Sequence, residues 1–564
     1  MNALKNFPTS RKALHRSALA RAKLKSAVDS ERAIEDIASS IAMAEKSSKG
    51  VKSSRVALYE MSLESSFTFF HESGIRLEDG KNDEQKRGRR CVAEKHFRPG
   101  DVMWTESSFL LSRVSFATTE KVAHRDALVM LLSKRTNATS LFEFARTIGK
   151  MLALYPMRCF TELRLKELKH KEKCSKSVSW ATERYGEDVD WFDLTPSFIQ
   201  RVNWSMDDES RRFLSVVFEP LPFEIVTKMI LETIVLNSHD MSIGGFGLGF
   251  HTSFVNHSCW PNVDVHLSEP SKGLIVRAVR DIEPGEEILM SYTDIYDVRD
   301  ERLRTLYRHY DFVCCCVRCE GAAEGKEPGS YKGKTPALVE IDTQPYVAKG
   351  AKDDLMHHHK IFEDRLIKIR WQCDRSIARG KETKAREEAL SALEKWLDDA
   401  KHFYCRYHPT RFEALCMAAV HALKLCRIES GAHFIRECDE IHASMYPSFW
   451  PWGRINMITL RELSQYILGK AENIEEARRC AKTRDILRRT YEKNIDVVDG
   501  GTERNSVLLS LMRLLLKFAE ERKVEVSQEL ISYIEDAEKL AVEFEHLKTL
   551  RKHEQDEKDG ECDI

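Results

Sequence analysis

Four of the fifteen cysteines in this 564-residue chain fall within residues 314–319, and crowding of that kind points to a metal. Cys316-Val317-Arg318-Cys319 has the two-residue spacing that sets two thiolates on one edge of an ion. If residues 313–316 are extended, Cys314 and Cys316 face one side and Cys315 the other. Cys314, Cys316 and Cys319 then make three ligands, Cys315 is left as a free thiol, and tetrahedral zinc needs a fourth donor. The plainer alternative, buried structural thiols, fits poorly with free cysteines clustered this tightly. Upstream, residues 244–262 (GGFGLGFHTSFVNHSCWPN) run from a glycine-rich approach through an apolar strand end into Asn256-His257-Ser258-Cys259. Residues 285–292 (GEEILMSY) form a strand that ends on Tyr292. Taken singly, the first is a polar turn closing a strand and the second an ordinary hairpin strand with a half-buried tyrosine.

The elements that must position these residues are two strand–turn–strand units, at 91–106 and 275–292. Pro99-Gly100 and Pro284-Gly285 supply the turns, proline presetting one dihedral and glycine providing the positive φ that follows. Their separation predicts one β-domain whose halves flank an insert at about 110–235. The insert has helical apolar spacing at 127–132, 142–154 and 223–235. Residues 321–350 hold five glycines and three prolines and are expected to be a linker. Beyond them the pattern is helical: Leu390, Leu393, Trp396, Leu397, Ala400 and Phe403 form one apolar stripe. Thr410 to Glu413, following Pro409, has the form of a capping box, and 505–522 and 528–545 continue the helical pattern. No clean 34-residue repeat is present. The His357-His358-His359 run is expected to be a solvated linker tract. The resulting organisation is a basic arm (1–75), a β-domain with its insert and cysteine loop (76–320, loop at 310–320), a linker (321–350), a helical domain (351–548) and a charged tail (549–564).

Lys+Arg (88) and Asp+Glu (89) balance, so no global field favours nucleic acid. Residues 1–28 carry seven basic and no acidic residues; organelle transit peptides share that composition, as does a solvated, partly helical arm, which is the expectation taken. Phe7 is the only aromatic there, which leaves no stacking platform for bases, so direct nucleic-acid binding is not expected. No apolar run approaches the roughly 20 residues needed to cross a bilayer, so no membrane association is expected. With no cleavable secretory signal, a cytoplasmic or nuclear location is expected, and the cysteines are not expected to form a disulfide framework.

Read in order, the three chemical segments resemble the SET domain and its post-SET zinc loop. Gly88-Arg89-Arg90-Cys91-Val92-Ala93 followed by Arg98-Pro99-Gly100 resembles the opening strands of the same domain. The resemblance covers 85–115 and 240–320. It implies an α+β fold: a SET β-fold with a helical insert and a zinc-binding post-SET loop, followed by an all-α helical domain. It also implies methyl transfer from S-adenosylmethionine to a protein lysine. Carried over residue by residue, Tyr292 is the catalytic tyrosine. Asn237, Ser253, Asn256 and His257, with Arg87 and Arg89, become cofactor contacts. Tyr310 and Phe312 wall the lysine channel beside the cofactor. Cys259 becomes the fourth zinc ligand with Cys314, Cys316 and Cys319. The chemistry is demanding because only the neutral amine attacks: from a solution pKa near 10.4, deprotonation at neutral pH costs about 4 kcal/mol. An apolar channel beside a sulfonium cation lowers that cost by desolvation and like-charge repulsion.

The helical domain after the post-SET cysteines makes the chain similar to the SMYD (SET and MYND) family, whose C-terminus is a tetratricopeptide-like array. That implies a protein substrate, histone or non-histone, and protein partners engaged through the array. Two departures stand out. The insert holds only Cys159 and Cys174, with no Cys-x-x-Cys pair, so the MYND zinc finger is absent. Arg90-Cys91 stands where the opening motif usually has Gly-Leu. The Rubisco-methyltransferase-like SET group also carries a helical C-terminus but lacks the post-SET knuckle, so residues 314–319 weigh against it. The competing function is a catalytically silent SET scaffold; the joint presence of Asn256, His257 and Tyr292 favours activity.

Overall fold

The computed structural model of the chain describes residues 69–78, 89–107, 110–113, 208–218, 223–241, 245–268, 273–310, 312–319, 336–349, 352–445, 451–469, 471–491 and 503–526, with a few isolated residues besides. Arg87, Cys159, Cys174, most of the N-terminal arm, most of the insert and the C-terminal tail lie outside the described residues.

The chain opens with β1 (Ile75–Glu78) antiparallel to β2 (Arg90–Ala93). Strands β3 (Val102–Ser107) and β4 (Leu110–Arg113) follow, then helices α1 (Asp208–Val217) and α2 (Phe223–Asn237), the second matching the expected apolar segment at 223–235. After β5 (Ser238–Met241) and β6 (Gly245–Leu248) come the two-residue strand β7 (Asn256–His257), β8 (Val263–Ser268), β9 (Gly273–Ala278) and another two-residue strand, β10 (Leu289–Met290). They form small sheets: β3–β9–β8 and β4–β6–β5, both antiparallel, and the parallel pair β7–β10. Strand β9 is buried at every position because it is the central strand of its sheet; its one charged residue, Arg277, donates to the Gly100 carbonyl at 2.7 Å.

Both Pro-Gly turns form, with φ of 93° at Gly100 and 87° at Gly285. The two units clasp each other: Phe97 and Ile282 exchange backbone hydrogen bonds at 3.0 and 2.9 Å, and Ile288 N–H donates to the Cys91 carbonyl at 2.8 Å. This clasp limits the second unit. The expected strand to Tyr292 is regular only over β10, because residues 279–288 pair with β2 and its flank through isolated bridges, not as one ladder.

After α3 (Arg299–Tyr310) the chain forms α4 (Pro336–Thr343) inside the expected linker. Ala337, Leu338 and Ile341 of α4 are buried, and Val347 N–H donates to the Phe403 carbonyl at 2.8 Å, so residues 336–349 are packed structure. Then come α5 (Lys352–Ile377), α6 (Glu382–Ala400), α7 (Pro409–Lys424), α8 (Ile428–Met445), α9 (Pro451–Leu468), α10 (Ala471–Tyr491) and α11 (Glu503–Glu521). From α5 to α10 each helix packs on the next, and α11 returns against α9 and α7. The stripe on α6 is buried as expected at Leu390, Leu393, Trp396 and Ala400. Two local expectations change. The histidine run lies on α5, where His359 is buried and its Nδ1 lies 2.7 Å from the Tyr404 hydroxyl. Helix α7 is capped two residues earlier than expected, by His408, whose ring accepts from Thr410 N–H at 3.3 Å; Pro409 lacks an N–H and takes the first helical position.

One continuous core contains Trp260, Val279, Ile295, Tyr296 and Val298 from the β-domain together with buried residues of α4 to α9 and α11. Among the described residues, no helix is long and apolar enough to cross a membrane.

Candidate functional site

Cys259 follows β7, while Cys314, Cys316 and Cys319 follow α3; the fold brings these distant segments together. All four Sγ atoms lie within 4.8 Å of one another. Cys259 Sγ is 3.5 Å from Cys319 Sγ and 3.9 Å from Cys314 Sγ. A tetrahedron of thiolates about 2.3 Å from zinc has edges of about 3.8 Å, so the spacing suits that ion. Cys315 is exposed and outside the cluster, as the extended geometry requires. Hydrogen bonds from Cys314, Cys316 and Cys319 hold the Cys259 thiol well below its usual range, while their bonds to Cys259 push the Cys314 and Cys319 thiols up. Leu303 and Leu306 of α3 pack against it.

Two buried arginines stand behind the thiols. Arg318, between the knuckle cysteines, donates through Nε and Nη2 to both oxygens of Asp342 on α4, at 2.6 and 3.0 Å. Its Nη1 donates to the carbonyls of Ile295 (2.6 Å) and Cys259 (3.2 Å). Arg302 on α3 donates to Asp342 at 2.8 Å, and its Nη2 lies 3.9 Å from Cys319 Sγ.

Tyr292 sits just past β10. Its hydroxyl donates to the Val255 carbonyl at 2.6 Å, and its backbone N–H donates to His257 Nδ1 at 2.9 Å. Its ring centroid is 4.8 Å from that of Tyr310 and 5.2 Å from that of His257, which is 5.8 Å from Phe312. Burial pushes the Tyr292 phenol well above its ordinary range, with Tyr310 adding to the effect. It is therefore a neutral proton donor at physiological pH.

The remaining expected residues divide. Asn256 Nδ2 donates to the Arg89 carbonyl (2.8 Å) and to Glu287 Oε1 (2.9 Å), which straps β2 to the segment leading into β10. The Arg89 guanidinium lies over the Phe254 ring at 4.7 Å. Asn237 Nδ2 donates to the Thr233 carbonyl at 2.8 Å, and the Ser253 hydroxyl to the Gly249 carbonyl at 2.5 Å. Thus Tyr292, His257, Tyr310 and Phe312 form one cluster, Asn256 and Arg89 adjoin each other, and Asn237 and Ser253 each serve local backbone. Arg90, the residue replacing glycine in the opening motif, pairs with Glu78 on β1 at 2.6 Å.

Three supports were not foreseen. Asn262 fixes the start of β10, accepting from Leu289 N–H at 2.7 Å and donating to the Glu287 carbonyl at 2.8 Å; its place in the motif was the available signal. Glu106, buried on β3, accepts from the N–H groups of His251 (2.8 Å) and Thr252 (2.6 Å). Burial would raise its pKa, but the bonds from His251 and Thr252 prevail and hold it low. Gly249 admits this carboxylate: a Cβ there would come within 2.6 Å of Glu106 and 2.5 Å of Leu274. Asp342 could not have been picked out, since its segment reads as linker.

Residues 88–293 match the family model for the SET domain. The histone-lysine N-methyltransferase SMYD3 of Mus musculus is 38% identical over 98 residues, 17% of this chain and 22% of that protein. The protein-lysine N-trimethyltransferase SMYD5 of Homo sapiens is 42% identical over 87 residues, 15% and 20% of the two chains. The histone-lysine N-methyltransferase set5 of Schizosaccharomyces pombe is 43% identical over 76 residues, 14% and 23%. The matched stretches thus span about a fifth of these relatives' length. A solved SET domain of LSMT bound to lysine and AdoHcy aligns over 83% of this chain and 94% of that one, at 11% identity and a TM-score of 0.27, too low to bear on fold or function. The chain carries a SET domain. Within that class it is SMYD-like, with a C-terminal helical region following the domain.

Proposed function

We propose that this chain is an S-adenosylmethionine-dependent methyltransferase that modifies lysine side chains of protein substrates, histone or non-histone. The observation that carries this is the setting of Tyr292: a half-buried, neutral phenol fixed at its backbone by His257 and at its hydroxyl by Val255, with Tyr310 and Phe312 packed around it. The cofactor, when bound, supplies a methyl group on a positively charged sulfur. Asn237 and Ser253 each retain acceptor capacity after their local bond, and Arg89 offers a cation, so these residues with Asn256, His257, Tyr310 and Phe312 suit the cofactor's charged and aromatic ends; Arg87 belongs to the same set. The rings of Tyr292, Tyr310 and Phe312 strip water from an incoming ammonium group and favour its neutral form. Because the Tyr292 proton points to Val255, the hydroxyl lone pairs are left to accept an N–H from the amine and aim its own lone pair. The four thiols hold one structural zinc that ties the loop bearing Phe312 to the motif bearing His257. The helical region shapes access for the protein substrate and offers a surface to partners.

The test is to incubate the purified full chain and isotopically labelled S-adenosylmethionine with a cell lysate and locate the label by mass spectrometry. Label on lysine is expected. A folded, cofactor-binding preparation that labels no lysine would leave the silent scaffold as the function.

A further inference from the structure

His257 touches both halves of the site. Its Nδ1 lies 2.9 Å from Tyr292 N–H and its Nε2 lies 3.2 Å from Cys259 Sγ. A backbone N–H only donates, so Nδ1 must present its lone pair. The ring proton then sits on Nε2 and is directed at sulfur. A metal-bound thiolate has no proton and accepts that bond. The two faces of the imidazole thus tie the Cys259 sulfur to the Tyr292 backbone.

We propose that His257 is a positioning residue joining the zinc site to Tyr292: one ring nitrogen orients the Cys259 sulfur and the other holds the backbone of the catalytic tyrosine. The inference rests on the four-thiol site holding zinc. Geometry supports it beyond the two bonds. Strands β7 and β10 pair with His257 opposite Met290, and Ser258 N–H donates to the Met290 carbonyl at 2.9 Å. The imidazole is therefore held in register with the segment leading to Tyr292. Ligand-orienting hydrogen bonds of this kind commonly change metal affinity by about 10–100-fold.

Two substitutions separate the two bonds. The carbonyl oxygen of asparagine takes the place of Nδ1, and the amide nitrogen of glutamine takes the place of Nε2. In the full chain, His257→Asn keeps an acceptor for Tyr292 N–H and loses the donor to Cys259; His257→Gln does the reverse. Zinc affinity, read by competition with a chromophoric chelator, should fall about 10–100-fold in His257→Asn and stay close to wild type in His257→Gln. At saturating zinc the order should reverse: His257→Gln should show faster exchange of the Tyr292 amide and slower single turnover than His257→Asn. Equal zinc affinities in the two variants, or equal Tyr292 amide exchange, would overturn the link. Should His257→Asn not fold, His257→Gln decides alone, since slow amide exchange in that variant overturns the proposal and fast exchange with zinc retained supports it. Metal analysis of the wild type comes first: close to one zinc per chain is expected, and none would overturn the zinc reading and this inference together, whereas zinc with no difference between variants overturns only the inference.

Discussion

Tyr292 has two jobs that one substitution can separate. Its hydroxyl bonds the Val255 carbonyl, which is structural, and presents lone pairs to the substrate amine, which is catalytic in the proposed reaction. Tyr292→Phe keeps the ring among Tyr310 and His257 and removes both contacts of the oxygen. Loss of one polar contact at the transition state typically costs about 3–4 kcal/mol, or roughly 10²–10³ in rate. Leaving the Val255 carbonyl without its donor should cost about 1–3 kcal/mol of stability. Single-turnover methylation should therefore fall by two to three orders of magnitude, denaturant unfolding should show the smaller loss, and calorimetry with S-adenosylmethionine should report near-wild-type affinity. A variant that turns over like wild type would remove Tyr292 from the mechanism, and one that no longer binds cofactor would make the residue structural.

Among the elements, α3, the cysteine knuckle and α4 are joined by a buried charge cluster. Side-chain exposure is 0% at Arg302, 1% at Arg318 and 2% at Asp342. Two guanidinium groups face one carboxylate, and the nearby Cys319 sulfur, 3.9 Å from Arg302, gives the surplus positive charge a partner when it is a thiolate. Asp342→Asn leaves two buried cations without their carboxylate, and breaking a buried pair in this way typically costs about 3–5 kcal/mol. Denaturant unfolding of the zinc-loaded variant should show a loss of that size; a change below about 1 kcal/mol would mean that solvent already reaches the cluster. This cluster also marks what was legible in the sequence. The Pro-Gly turns, the apolar stripe on α6 and the convergence of Cys259 with the knuckle follow from local stereochemistry or a motif, and each is where it was expected. Helix α4 was read as linker because its eight residues sit among glycines and prolines, and its stability comes from Ala337, Leu338 and Ile341 entering a core assembled from distant segments. The His408 cap was missed for a related reason: capping by an imidazole is not part of the usual signature. The shortness of β10 comes from the clasp of the residues before it with β2 and its flank, a long-range contact that alternation along the strand cannot reveal.

At the scale of the molecule, the β-domain and the helices share one core, so a titration buried outside the thiol cluster should be felt as global stability. His421 on α7 is such a group. Burial pushes its pKa down to about 4, and Arg386 on α6, whose Nη1 lies 3.5 Å from His421 Nδ1, opposes its protonation further; Asp374 on α5 acts weakly the other way. In the unfolded chain a histidine takes up its proton near pH 6.5. Between about pH 6.5 and 4 the unfolded state therefore binds a proton that the folded state refuses, and stability rises with pH across that window. The contribution is complete above pH 6.5 and lost as pH falls towards 4. His239, also held to about 4 by burial, adds a term of the same sign. Glu462 acts oppositely: burial raises it to about 7, against the pull of Arg484, so its neutral form is favoured in the folded state and stability falls as pH rises from about 4.5 to 7. With the proposed zinc bound, acid would also release the metal as the thiols take up protons. The total profile is thus a composite, and the informative quantity is a difference between variants. His421→Gln removes one titration outside the thiol cluster while keeping a polar side chain of similar reach. The difference in thermal midpoint between the two proteins should stay constant from pH 7.5 to about 6.5 and change below that, with wild type losing more on acidification than His421→Gln. Parallel curves would mean that His421 is protonated in the folded protein and that the α6–α7 packing admits water.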